Sequence, residues 1–405
     1  MNKELEKINQ TLEGKSFEEK LKAFFHTAVA INTPVAIWRK PQEEKIQATC
    51  QVTEGLDFVE EIESASTGFL FNCFKSNQQG NFIRSEINLD QESENLSISP
   101  KLESSDRLNH FFNQFAQFQE DPTEFNFQEQ LKAAPHVLDD KQAFIQLVEK
   151  CKTHIEEGYY QKIVPSRRSR YQLPKGFHPV HELMKLCKSY ENAFVSLVYT
   201  PEHGLWLGAT PELLIETEND QYFRTVSLAG TQGIPKNFNL SQAAWTQKEI
   251  EEQALVSRYI INCFKQIRLR EFSEHGPKTV KAGNLIHLKT SFEVDMKATN
   301  FPELATVMLK LLHPTSAVCG MPMKPAAQFL EQHEGYDRSF FSGYLGPVND
   351  KGTTSVFVNL RCTQIFKDGG IIFAGAGVTE DSIPELEWNE TEIKFRTLLN
   401  VFENI

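Results

Sequence analysis

The sequence contains no run of about 18 uninterrupted apolar residues, so a membrane-spanning helix is not expected. It opens on MNKELEKINQTLEGKSFEEK, which is charged and has no apolar h-region. No secretory leader is expected, and the segment reads as a solvated amphipathic helix. The seven cysteines (Cys50, Cys73, Cys151, Cys187, Cys263, Cys319 and Cys362) are odd in number and widely spaced, and they include no CxxC pair. That pattern argues for reduced thiols in a cytoplasm, against a disulfide framework and against a zinc site. No long basic run occurs, and 54 acidic against 42 basic residues give a net charge of −12, which argues against nucleic acid as a partner. Neither GxGxxG nor GxxxxGK[ST] is present, so nucleotide binding has no support. No internal repeat is visible. An anionic substrate would need a local arginine or lysine, backbone N–H groups or a divalent cation.

What is present is ordinary for a globular chain. Its 405 residues are 40% hydrophobic and 24% charged, enough for one large domain or two to three smaller ones. Before about residue 135, TPVAIWRK (33–40) and STGFLFNCF (66–74) read as strands. RLNHFFNQFAQFQ (107–119) reads as an amphipathic helix, with Phe111, Phe112, Phe115 and Phe118 at core spacing. Residues 75–105 are polar and irregular, a surface excursion. From about 140, KQAFIQLVEKCKTHIEEGYY reads as a helix ending near Gly158. Strands are expected at 161–168, 194–200, 204–210, 213–217, 222–230, 287–296, 354–366 and 370–378. Long helices are expected over about 243–265 and 384–402. Short consecutive strands with tight turns such as KDGG (367–370) favour antiparallel pairing. Helices fall between runs of strands, so the class is α+β and not doubly wound α/β.

Several constellations carry possible chemistry. Glu249 and Glu252 lie three apart on the first long helix, and Glu387 and Glu390 repeat the device on the last. Two such faces could converge on one Mg²⁺, which favours hard carboxylate oxygens; either pair alone is by default a solvated charged face. No histidine at ligand spacing suggests a di-iron ExxH bundle. Ser382 and Glu385 form a capping-box pattern ahead of the last helix, with Pro384 in its first turn. FAGAGV (373–378) lets a ligand approach the backbone at Gly375 and Gly377, or is a tight strand end. LAGT (228–231) is a second small-residue corner, with Gly230 and Thr231 as candidate substrate contacts. Alternation sets Arg361 on a strand opposite Val358 and Leu360, as a carboxylate fork or a surface arginine. Glu212, after Pro211, is a turn residue or a general acid with a raised pKa. His313 precedes Pro314 as a satisfied, half-buried histidine by default. HPVH (178–181) has no third ligand nearby and is discounted as a metal pair. Lys162 sits in the apolar, β-prone stretch GYYQKIVPSRR; burial would lower its pKa and make it a candidate base.

In this order, KIVPSRR, LGATPELL, SLAGT, LHPTSAVCGMP, DRSFFSGYLG, VNLRC, FAGAGV and PELEWNETEIK resemble the chorismate-utilising enzymes, over roughly residues 140–400. Residues 1–135 correspond to the divergent N-terminal part of such proteins. The resemblance implies a single large domain of two packed antiparallel sheets with outer helices. It implies Mg²⁺ held by Glu252 and Glu390 with Glu249 and Glu387 in support. Arg361, the N–H groups around Ala376 and Gly377, and Lys394 would contact chorismate carboxylates; His313 would lie beside the ring; Glu212 would be the general acid.

Within the family, lysine at position 162 is similar to isochorismate and salicylate synthases, which activate water, whereas anthranilate synthases carry glutamine there. Ala229 replaces the nucleophilic lysine of aminodeoxychorismate synthases. The expected reaction is therefore chorismate to isochorismate, feeding menaquinone or siderophore synthesis. Salicylate synthase is the alternative, and a non-catalytic metal-binding protein on the same fold the remote one. A cytoplasmic monomer is expected, without an amidotransferase subunit or membrane partner. Three departures from the family pattern are QGIPK after LAGT, Gln253 where a histidine is usual and Cys319 where a glycine or serine is usual.

Overall fold

Every position of Val35–Arg39 is buried. Side chains of a strand point alternately to its two faces, and here each face has its own core. Val35 and Ile37 pack into a layer of helices, while Ala36 and Trp38 pack against a second sheet. An unbroken apolar run is therefore what a strand covered on both sides requires. The same alternation operates in Phe194–Thr200, which pairs in full register with that strand, and in Gly204–Thr210, which pairs in full register with Phe194–Thr200.

The computed structural model describes residues 2–75, 80–120, 126–233, 239–282 and 285–403. Among these residues the chain forms two nine-stranded antiparallel sheets and a short two-stranded one. The first sheet runs in the order 96–98, 87–90, 46–50, 35–39, 194–200, 204–210, 362–366, 369–375, 166–171. The second runs 273–282, 285–295, 222–233, 213–218, 353–358, 344–348, 68–72, 80–84, 57–59. Between the sheets lies an aromatic-rich core, in which Phe71 stacks on Phe340 at 3.9 Å and Phe194 on Phe357 at 4.2 Å. Helices cover both outer faces. Phe17–Ala30, Asp106–Glu120 and Pro179–Ser189 lie on the first sheet. Lys141–Glu156, Gln247–Gln266, Leu304–Leu312 and Met323–His333 lie on the second. Phe111, Phe112, Phe115 and Phe118 are core residues as their spacing implied.

Several expectations are corrected. Residues 75–105 contain three described strands, Gly80–Arg84, Ile87–Asp90 and Leu96–Ile98, whose polar outward positions hid the pattern. Strands from the first 135 residues enter both sheets, so the N-terminal part completes the architecture. The N-terminal helix is not wholly solvated: Ile8 and Leu12 are buried, and Phe17–Ala30 behind it is largely internal. The stretch 354–366 is two strands in different sheets, Thr353–Val358 and Cys362–Phe366. Finally, Ser382 does not cap the last helix, Pro384–Phe402, whose N-cap is Ile383 without a side-chain bond. The Ser382 hydroxyl instead accepts from the Thr379 N–H at 3.1 Å.

Candidate active site

The chain steps between the sheets at two neighbouring points, and each carries a charged candidate. Thr210 ends a strand of the first sheet and Leu213 begins one of the second, with Glu212 in the link. Val358 ends a strand of the second sheet and Cys362 begins one of the first, with Arg361 in the link. The two links are stitched together. The Val358 N–H donates to the Glu212 carbonyl at 2.9 Å, and the Ala209 N–H to the Arg361 carbonyl at 3.0 Å. The Thr210 hydroxyl donates to the Val358 carbonyl at 2.6 Å. Arg361 takes φ +47°, a left-handed conformation that no continuing strand would tolerate. It is therefore not on a strand face, as alternation suggested; the crossover aims it. Both residues line a cleft of about 230 Å³.

Burial raises the Glu212 carboxyl to about 7, against the opposing charges of Lys162, Arg361 and Lys394 and a 3.4 Å bond from the Thr315 hydroxyl. A carboxyl in that range can hold and release a proton near neutrality. Arg361 is pulled below its ordinary value by burial, with Glu390 and Glu212 offsetting. Among the described residues its guanidinium donates only to Thr397, at 3.4 Å.

Lys162 is 2% exposed and lies just behind the cleft wall. Its strand is fixed by pairing with Gly320–Met321 and by the Ile163–Val378 bridge. Its ammonium meets Glu252 Oε1 at 2.6 Å. Burial alone would raise the Glu252 carboxyl, but the charge and hydrogen bond of Lys162 hold it below the ordinary carboxylate value. Gly377 lines the cleft beside them, and a Cβ there would fall 2.8 Å from Lys162 Cε and 2.9 Å from Glu252 Oε1. The corner of small residues is thus required by this ion pair.

The two ExxE faces border one cleft, but their carboxylates already have partners. Glu249 closes a capping box with Thr246 at the start of Gln247–Gln266. Glu387 pairs with Lys248 at 2.9 Å and Glu390 with Lys394 at 2.6 Å. Among the described residues no three His, Cys, Asp or Glu side chains gather as a ready metal cluster. The donor chemistry nonetheless suits a hard divalent cation. Glu252 and Glu390 line the cleft as carboxylate oxygens. Glu387 Oε2 is buried without a hydrogen-bond partner among the described residues, which marks an unmet polar requirement beside them.

The model of the chorismate binding enzymes matches residues 37–403. The chain belongs to that family. It is 32% identical to the isochorismate synthase EntC of Escherichia coli K12 over 204 residues, 49% of this chain and 51% of that relative, so the match spans about half the relative's length. It is 27% identical to the isochorismate synthase DhbC of Bacillus subtilis over 295 residues, covering 69% and 73% of the two chains. In fold it is similar to MenF, the menaquinone-specific isochorismate synthase of Escherichia coli, with a TM-score of 0.71 at 21% identity over 93% and 90% of the chains. Anthranilate synthase component I of Streptococcus pneumoniae gives a TM-score of 0.66 at 19% identity, over 90% and 89%.

In this chorismate binding enzyme the remaining candidates divide. Gly230 lines the cleft at φ +67°, at a register shift between Ala229 and Thr231. A Cβ on it would lie 3.3 Å from both Glu249 Cβ and Trp245. Thr231 continues the same strand. Lys394 lines the cleft and donates to the Gly375 carbonyl at 2.7 Å. Ala376 is fully buried and its N–H donates to the Pro165 carbonyl at 3.0 Å, so that N–H does not face a ligand. His313 is buried outside the cleft lining, 3.1 Å from the Phe74 carbonyl and edge-on to Tyr344, and burial pulls it down to about 4. The histidine brought to the cleft is His287, 3.0 Å from the Gly230 carbonyl. It lies in the strand read as HLKTSFEVDM, and no local pattern separates it from an ordinary strand residue. Arg338, Lys248, Thr246 and Phe341 also line the cleft, and no local pattern in the sequence marks them as site residues.

Gln253 anchors the metal-candidate helix: its amide donates to the Ser227 hydroxyl at 2.6 Å and to the Thr290 hydroxyl at 3.0 Å. Gln232, the start of QGIPK, donates to Glu249 Oε2 at 2.8 Å; Ile234, Pro235 and Lys236 lie outside the described residues. His178 of HPVH caps Pro179–Ser189 and lies 2.9 Å from His26, while His181 faces Glu18.

Proposed function

We propose that this chain converts chorismate to isochorismate, adding water at C2 of the ring with loss of the C4 hydroxyl. The observation that carries the reading is a buried lysine held just behind the wall of a cleft, against Glu252 of its lining, with a carboxyl raised to about 7, Arg361 and Lys394 in that same lining. The isochorismate synthases among its relatives support it.

Arg361 and Lys394 supply the positive charge that a dicarboxylate needs. Lys162, once unprotonated, accepts a proton from water, and the resulting hydroxide oxygen bonds to C2. The ring double bonds shift, and the C4–O bond breaks as Glu212 protonates the leaving hydroxyl, which departs as water. The net change is an isomerisation, with one proton taken up at Lys162 and one given by Glu212, later re-equilibrated through solvent. Glu252 and Glu390 would hold Mg²⁺, with Glu249 and Glu387 beside them, and the ion would neutralise acidic charge next to a substrate carboxylate. Binding it exchanges ammonium partners for a divalent cation, since Lys162 and Lys394 now occupy those carboxylates.

Incubation with chorismate and Mg²⁺ tests the reading. The expected result is cation-dependent consumption of chorismate, accumulation of isochorismate and no salicylate fluorescence. Fluorescence would assign the salicylate synthase alternative, and no consumption would leave the non-catalytic one.

A further inference from the structure

We propose that Arg338 is a positioning residue that sets the candidate base and the candidate acid relative to each other. This role rests on the chorismate reading above. Arg338 stands in DRSFFSGYLG, has a side chain 2% exposed and lines the cleft, yet it does not offer its guanidinium to a ligand. Four of its five N–H groups are directed into the protein. Nη1 donates to the Val318 carbonyl and Nη2 to the Val164 carbonyl, each at 2.7 Å. Nε donates to Glu334 Oε2 at 2.8 Å, and Nη2 also donates to Glu334 Oε1. Arg361 presents the opposite arrangement, with a single long bond, to Thr397, among the described residues.

The two carbonyls are what give this pair its leverage. Val164 lies two residues beyond Lys162, and its own N–H donates to the Cys319 carbonyl at 3.0 Å. Val318 lies three residues beyond Thr315, the residue whose hydroxyl reaches Glu212. One planar fork therefore joins the segment carrying the base to the segment touching the acid, and its geometry is fixed because guanidinium donors are rigid. The charge is balanced internally. Glu334 is 3% exposed and also accepts from the Ser166 N–H at 2.7 Å and the Ser166 hydroxyl at 2.9 Å. The guanidinium also sits over the Phe74 ring at 4.4 Å. A lysine at 338 would keep the charge but lose the fork.

Steady-state kinetics of R338K with chorismate and Mg²⁺ test the role. Displacement of reacting groups by about 1 Å can cost on the order of 100-fold, so kcat is expected to fall by roughly that factor with KM changed less than about threefold. Millimolar guanidinium is expected to restore part of the kcat of R338A, and methylammonium is not. If R338K does not fold, E334Q keeps an acceptor for Ser166 and is expected to lower kcat by about tenfold with KM unchanged. A loss confined to KM would make Arg338 a substrate holder and overturn the role, as would an unchanged kcat in folded R338K. Amide exchange supplies a readout that needs no substrate: in R338K, residues 162–166 and 315–320 are expected to exchange faster while the rest of the two sheets does not. Uniform acceleration along the chain would reduce the pair to ordinary structural support. If the wild-type chain leaves chorismate intact, the chorismate reading falls and the exchange pattern still decides whether Arg338 clamps these segments.

Discussion

The Lys162 ammonium and the Glu252 carboxylate meet at 2.6 Å across 90 residues of sequence, at a place where only a glycine fits beside them. The candidate base and a candidate metal ligand therefore neutralise one another. Whatever binds Glu252 alters what Lys162 can do.

Lys162→Gln removes the base and leaves Glu252 without its counter-charge. Isochorismate formation is expected to fall by on the order of 100-fold or more. The melting temperature is expected to drop, because a partly buried carboxylate loses its partner. Mg²⁺ is expected to recover more of that loss in the variant than it adds to the wild type. Thermal melts with and without the cation measure this directly; full activity in Lys162→Gln would remove the lysine from the mechanism.

Gly377→Ala places a methyl 2.8 Å from Lys162 Cε and 2.9 Å from Glu252 Oε1. Both are ends of flexible side chains, so the backbone can persist while the pair is pushed apart. Activity is expected to fall on the order of 100-fold, with a small change in melting temperature. An active, unaltered variant would show that the close packing at this corner is dispensable.

Glu212→Gln preserves size but cannot donate a proton, and a loss of about 100- to 10,000-fold in kcat is expected. In the wild type, burial raises this carboxyl to about 7, so the protonated acid is present below that pH and the rate it supports declines as pH rises through it. Stability follows the same sign. Between the ordinary value of 4.5 and about 7 the folded state binds a proton that the unfolded state has released, so this group's contribution is present at low pH and lost as pH rises. The variant is expected to flatten both profiles, as read by pH–rate curves and by denaturant melts across that window.

Glu249→Ala and Glu252→Ala are expected to separate capping from metal binding. Glu249 closes a capping box with Thr246, and its loss is expected to cost about 1 kcal/mol of stability. Glu252→Ala is expected to abolish the melting shift produced by Mg²⁺. Equal loss of that shift in both variants would make Glu249 a ligand.

Legibility followed the range of the interactions involved. The strand Phe194–Thr200 and the helix Asp106–Glu120 could be read because apolar residues recur at their own spacings. Gly230 was readable as a corner, since glycine tolerates the positive φ found there. The capping box at Ser382 was not borne out: its hydroxyl turned inward to the Thr379 loop, a contact that local pattern does not encode. Nothing around His287 in the chain distinguishes it from an ordinary strand residue.

By itself, the sequence determined many of the strands, the long helices and the family, because these depend on periodicity and on short motifs with their own chemistry. Only the tertiary structure decided which residues meet. Arg361 points into the cleft because the chain changes sheets there, and it adopts a left-handed conformation to do so. Glu212 has its raised carboxyl because the fold buries it between two sheets, and that burial outweighs the bond from a threonine hydroxyl 103 residues away. Lys162 was a charge in an apolar strand until the fold set a glutamate from a helix against it, since a buried ammonium needs a counter-charge to stay protonated.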